Sequence, residues 1–205
     1  MSDKNYRMSF STGGLFQRES LQLADLYMSL HDWQAVSYKV IQDNLLQART
    51  AASLKRVLRE VVFRLQTLSE DELSALLAGD HQEQGFLLWL AVCRSYPFIA
   101  EFSTTVLRER YLSRLVNLEP EDFEAFFHRQ SEWHPELEKI RPSTRGKLRQ
   151  VLFRMLREAG LLTADNQINP AILSPAFVAR LTAADRKQEL TYYPIFDADL
   201  KRLMS

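Results

Sequence analysis

The sequence predicts an all-α fold: a compact multi-helix chain with helix-turn-helix-like regions near both ends, the C-terminal one carrying a small β-hairpin wing. Three observations lead there. Apolar residues recur at helical spacing, i, i+3, i+4 and i+7, along most of the 205 residues. Six glycines and seven prolines punctuate that pattern mostly at its edges. The one short turn-like interruption, LLTADNQINP at 161–170, sets Asp165 and Asn166 between apolar ends and reads as a hairpin.

The elements follow in order. Residues 9–16, SFSTGGLF, place two glycines side by side. A phosphate-binding loop needs GxxxxGK[ST], and no lysine follows Gly14 at the required place. The pair therefore reads as a turn that lets Phe10, Leu15 and Phe16 enter the core, with free amides near Gly13 and Gly14 as a lesser place for a DNA phosphate. Residues 19–30 carry Leu23, Leu26, Tyr27 and Leu30 on one helical face. Asp32 can cap a second helix bearing Trp33, Val36, Val40, Ile41 and Leu45. Thr50 can cap a third, with Leu54, Val57, Leu58, Val61, Val62 and Leu65 inward. SEDE at 69–72 is a capping box, and Asp80 with Glu83 repeats the signal. The run FLLWLAVC, 86–93, is far shorter than the about 20 residues of a membrane span and predicts a buried core helix. Pro97 and Pro120 suit first helical turns. Ser143 caps a long helix that ends at Gly160, and Ser174-Pro175 opens a short one through Leu181. The weakest seams lie near 118–120 and around Pro135, and the first divides the chain into an N-terminal helical domain, 1–118, and a winged-helix-like domain, 119–205.

Composition narrows the class. Lysine plus arginine and aspartate plus glutamate both number 26, so net charge points to no polyanion. A single cysteine, Cys93, rules out an internal disulfide and fits a reducing cytoplasm. The opening MSDKNYRMSF lacks the apolar core of a signal peptide. His31, His81, His128 and His134 form no HxxxH pair, and no GxSxG occurs. The expectation is a protein with no catalytic residues, no metal, no cofactor, no membrane association and no small-molecule substrate.

The charge lies in blocks. Residues 49–66 hold five basic side chains and one acid; 139–157 hold seven and none; 119–138 hold seven acids against Arg129. In the long C-terminal helix Leu148, Val151, Leu152, Met155 and Ala159 form an inward stripe, and Ser143, Lys147, Gln150, Arg154 and Arg157 the opposite one. In the third helix Arg49, Ala52, Arg56, Arg59 and Phe63 point outward. Arginine forks onto phosphates or guanine edges, and glutamine can read adenine. The expected DNA contacts are Arg141, Arg145, Lys147, Arg149, Gln150, Arg154 and Arg157 from one helix and Arg49, Lys55, Arg56 and Arg59 from the other. A short helix at 135–140, a break at Arg141-Pro142, the long helix and the hairpin give the order of a winged helix-turn-helix. The competing reading is that the arginines salt-bridge the acidic block.

The phrase YRMSFSTGGLFQRES, 6–20, resembles the opening of the BrxA family of BREX phage-defence systems, and the likeness extends over the whole chain in length and helical layout. That resemblance implies a non-catalytic cytoplasmic protein that binds double-stranded DNA, with a fold similar to the RNA-binding factor NusB. It also implies an accessory role beside larger BREX proteins. The alternatives are a protein adaptor within such a complex, with Phe63 and Phe153 as anchors, and RNA binding.

Overall fold

The computed structural model describes residues 6–11 and 13–204; residues 1–5, Thr12 and Ser205 lie outside that set. All regular elements among the described residues are helical. They sort into two units: Leu15–Ser95, and the residues up to Gly14 together with those from Tyr96 onward.

The first unit holds α1 (Gln17–Leu30), α2 (Trp33–Asp43), α3 (Ala51–Leu65), α4 (Glu70–Ala78) and α5 (His81–Ser95). Short polar side chains start α2 to α5 as the sequence predicts, whereas α1 follows Phe16 with no side-chain cap. Asp32 accepts from the Gln34 amide at 2.8 Å, Thr50 from Ser53 at 3.1 Å and Asp80 from Glu83 at 2.9 Å. Ser69 and Glu72 form a reciprocal capping box. Each such bond satisfies an amide that the helix leaves open and is worth about 1 kcal/mol. α1 packs on α2, α3 and α4, while α3 and α4 pack on α5. The 86–93 run is buried throughout. α2 departs from expectation, because only Val36 and Val40 are buried in it and Ile41 stays 40% exposed. Leu30, at the end of α1, is 42% exposed. A buried bidentate pair ties α4 to α5: Arg94 donates to both oxygens of Glu72 at 2.7 Å.

The second unit holds α6 (Pro97–Phe102), which runs through π-helical Ser103–Arg108 into α7 (Glu109–Leu112). Next come α8 (Pro120–Ser131), α9 (Pro135–Glu138), α10 (Pro142–Glu158), α11 (Pro175–Ala183), a 3₁₀ turn at Lys187–Tyr192 and α12 (Asp197–Met204). Its centre is aromatic. Phe98 meets the rings of Tyr6, Phe10, Phe123, Phe126 and Phe127 at 5.0–6.2 Å. The N-terminal residues form a strap over this core. The Tyr6 amide donates to Glu136 at 2.7 Å, its hydroxyl to Glu101 at 2.7 Å, and its ring lies 3.9 Å from that of His134. Burial and the Glu101 carboxylate push the Tyr6 phenol well above its usual range.

α10 begins at Pro142, with Arg141 rather than Ser143 as its flanking residue and no side-chain cap. It ends as predicted. Gly160 takes the left-handed conformation, φ 72°, and the Leu161 amide reaches back to the Leu156 carbonyl at 2.9 Å. The hairpin expected at 161–168 is reduced to bridges. Leu162 pairs with Ile168, and Asn117 with Gln167, each antiparallel and isolated, and no strand forms among the described residues. Two backbone bonds run from each side of the 166–168 segment: Leu118 N to Asn166 O and Ile168 N to Val116 O, then Thr163 N to Gln167 O and Asn169 N to Leu161 O. Runs this brief do not build a ladder of strand length.

Candidate nucleic-acid interface

α3 presents the simplest charged surface. Its buried residues are Leu54, Leu58, Val61, Arg64 and Leu65. That inward stripe sends Lys55, Arg56 and Arg59 to the opposite side, and Arg49 precedes the cap. All four are exposed, and none has an ionic or hydrogen-bond partner among the described residues. Arg64 is different in kind. It is buried, bonded to Glu60 at 2.8 Å, with its guanidinium 5.6 Å from the centre of the Phe16 ring. The α2–α3 connection, 44–50, is set by Asn44. Its backbone is left-handed, φ 44°, and its side chain both donates to and accepts from Ala48.

α10 is more constrained. Ser143, Lys147, Gln150, Arg154 and Arg157 all lie exposed, on the stripe that helical phase assigns them. Arg141 and Lys147 have no partner among the described residues. The other arginines do. Arg154 donates to Glu158 and Arg157 to Asn166, each at 2.7 Å. Arg145 and Arg149 turn sideways onto α8, where each takes one oxygen of Glu124, at 2.9 and 2.8 Å. The competing reading thus holds for these two: part of the basic block is neutralised by the acidic one. Phe153 is buried rather than displayed, and Phe63 is half-buried.

Two acids were missed from sequence. Glu158 stands four residues after Arg154, the spacing that pairs side chains on a helix, and that signal was available. Glu124 lies on another helix, and no local pattern marks it. Glu158 also answers the glycine pair. Gly13 has φ 87°, which favours glycine. Gly14 is buried, and a Cβ there would meet Glu158 Oε2 at 2.1 Å. The place beside the turn is taken by the chain's own carboxylate.

Chemistry beyond charge is sparse. His31 lies 3.1 Å from Glu70, His134 3.2 Å from Glu136, and His81 2.9 Å from Gln17. No group of three or more His, Cys, Asp or Glu that could hold a metal occurs among the described residues. Cys93 is buried in α5. No single helix among the described residues is long and apolar enough to cross a membrane. Trp133, just before α9, stands 72% exposed.

Among the described residues, this is an all-helical protein that displays basic helix faces on α3 and α10. The BrxA family profile matches residues 4–185, and the chain belongs to the BrxA family. It is 26% identical over 168 residues to the BREX protein BrxA of Escherichia coli O9:H4 (strain HS), covering 82% of this chain and 79% of that one. It is 26% identical over 127 residues to the BREX protein BrxA of Bacillus cereus (strain H3081.97), covering 62% and 64%. A crystal structure of an uncharacterized protein from Magnetospirillum magneticum shares the fold, with a TM-score of 0.77 at 18% identity over 92% of this chain and 97% of that one.

Proposed function

We propose that this chain is a non-catalytic, sequence-tolerant double-stranded DNA-binding accessory protein of a BREX phage-defence system, acting in the cytoplasm. Membership of the BrxA family and the names of its relatives support the BREX role. The observation that carries the DNA reading is α3, whose Lys55, Arg56 and Arg59, with Arg49 beside them, face water without partners among the described residues. A surface built only for solubility mixes both signs. One of a single sign, rich in arginine, suits a row of phosphates.

α10 adds a second basic face. In this reading α8, α9 and α10 act as a helix-turn-helix with α10 as its last helix. In this reading α10 lies against the major groove, its N-terminal Arg141 and Lys147 contacting phosphates and Gln150 a base edge. The 161–168 turn touches backbone, although it holds only isolated bridges.

The test is fluorescence anisotropy with a labelled duplex of about 20 base pairs at about 50 and 200 mM salt. Binding should fall about 10³-fold or more between the two if six or so phosphates are neutralised. No binding by the parent protein at low salt overturns the reading. A second reading, a protein adaptor, draws on Trp133, an exposed side chain of the type that anchors protein interfaces. It predicts a stoichiometric BREX partner on co-purification and little affinity for DNA. Competition with duplex RNA separates an RNA-binding role from both.

A further inference from the structure

Glu124 on α8 holds two arginines of α10 at once. Arg145 and Arg149 are one turn apart on the same helix side. Arg145 Nε lies 2.9 Å from Glu124 Oε2 as an ion pair, and Nη1 of Arg149 donates to Oε1. The Arg145 guanidinium also lies over the Phe127 ring, 5.4 Å from its centre. Two cations share one anion, so the cluster keeps an excess positive charge. It is also open to water: the arginine side chains are 27% and 31% exposed. The Glu72–Arg94 pair, by contrast, is under 10% exposed on both sides and closed to exchange. Arg149 gives one of its five N–H donors to the carboxylate and Arg145 holds it by charge, so both keep donors for another anion.

A carboxylate and a phosphate are equivalent partners to a guanidinium, each offering paired oxygens to the fork. We propose that Glu124 is an internal counter-ion which occupies Arg145 and Arg149 in the free protein and competes with a duplex phosphate for them. It thereby sets the affinity and the salt dependence of the α10 face. This rests on the reading that α10 meets DNA. The arginines that the sequence places in the basic block are a reserve, drawn on only when a phosphate displaces the carboxylate. The exchange leaves Glu124 facing water on the rim, where its exposure lets it be hydrated.

The test is a mutant cycle on the full chain with the labelled duplex: parent, Glu124→Gln, Arg145→Gln/Arg149→Gln, and all three changes together. With Glu124 present, replacing the arginines should alter affinity less than about threefold, because each phosphate contact they gain is offset by the Glu124 pair they give up. Glu124→Gln should bind more tightly at low salt. It should also lose up to about 12-fold more affinity between 50 and 200 mM, since its two arginine–phosphate contacts, each about 0.9 in the logarithmic slope, are no longer offset by a released carboxylate. The triple change should abolish that gain. An equal effect of the arginine changes in both backgrounds, or weaker binding by Glu124→Gln, overturns the proposal while leaving DNA binding intact. Absence of binding by all four chains at low salt instead overturns the DNA reading, and this proposal with it. A second readout needs no variant: the Arg145 and Arg149 Nε–H resonances of the parent protein should shift as duplex is added at low salt. Saturation without a shift overturns the exchange.

Discussion

α3 and α10 carry similar numbers of basic residues and use them differently. On α3 the outward cations stand free of partners among the described residues, while the one inward arginine, Arg64, is buried against Glu60 and Phe16. On α10 four of the arginines are already engaged, two by Glu124, one by Glu158 and one by Asn166, leaving Arg141 and Lys147. Charge counted along the chain ranks α10 first. Charge counted after folding ranks α3 first, because an arginine that has a carboxylate must give it up before taking a phosphate. The lesson is that a basic block measures supply, and the acids folded beside it decide how much is free.

The comparison can be broken most directly at α3. Lys55→Ala/Arg56→Ala/Arg59→Ala should weaken duplex binding by roughly two to three orders of magnitude at low salt and flatten the logarithmic salt slope by about 2.7. Little change on anisotropy would move the interface elsewhere. Arg64→Ala sharpens the contrast within the same helix. It removes a buried cation from its pair with Glu60 and should cost about 3 kcal/mol in denaturant melts while leaving the salt slope as it was. Lys147→Ala/Arg154→Ala/Arg157→Ala should weaken binding about tenfold and flatten the slope by about 1.8, since Arg154 arrives neutralised by Glu158 while Arg157 meets only the neutral Asn166 amide. A loss exceeding that of the α3 variant would reverse the ranking.

The smallest expected effect lies in the strap beside α9. Burial alone would raise the Glu136 carboxyl, but bonds from the Tyr6 amide, its own amide and His134 outweigh it and hold the group below the usual range. Its contribution is therefore full above the unfolded value of about 4.3 and is lost as pH falls through the lower folded value. Glu136→Gln should be about 1 kcal/mol less stable than the parent in melts at pH 6, with the gap closing toward pH 3. A gap that widened on acidification would contradict that sign.

Much of the fold was legible because its signals are local. Asp32, Thr50, Ser69, Asp80 and Ser174 each cap the helix that follows, since a short side chain reaches an amide two or three residues on. The outward stripe of α10 was legible from period alone. Ile41 was not, because periodicity reports which residues share a face and not how wide a neighbour covers it. Glu124 was not, because it meets Arg145 and Arg149 across more than twenty residues of chain. The wing was overread: Asp165 and Asn166 do mark a turn, with Asn166 left-handed at φ 62°, yet the flanks are too short to pair as strands.

Gly14 links the first residues of the chain to its most basic helix. Nothing in its backbone conformation demands glycine, so alanine could adopt the same angles; what alanine could not do is share space with the Glu158 carboxylate. A single added methyl group would swing that carboxylate aside and release Arg154, its partner at 2.7 Å. Steric room at position 14 is thus tied to the ion pairing of Arg154. An alteration that looks neutral in the opening turn would register, 140 positions along, as a change in electrostatic potential.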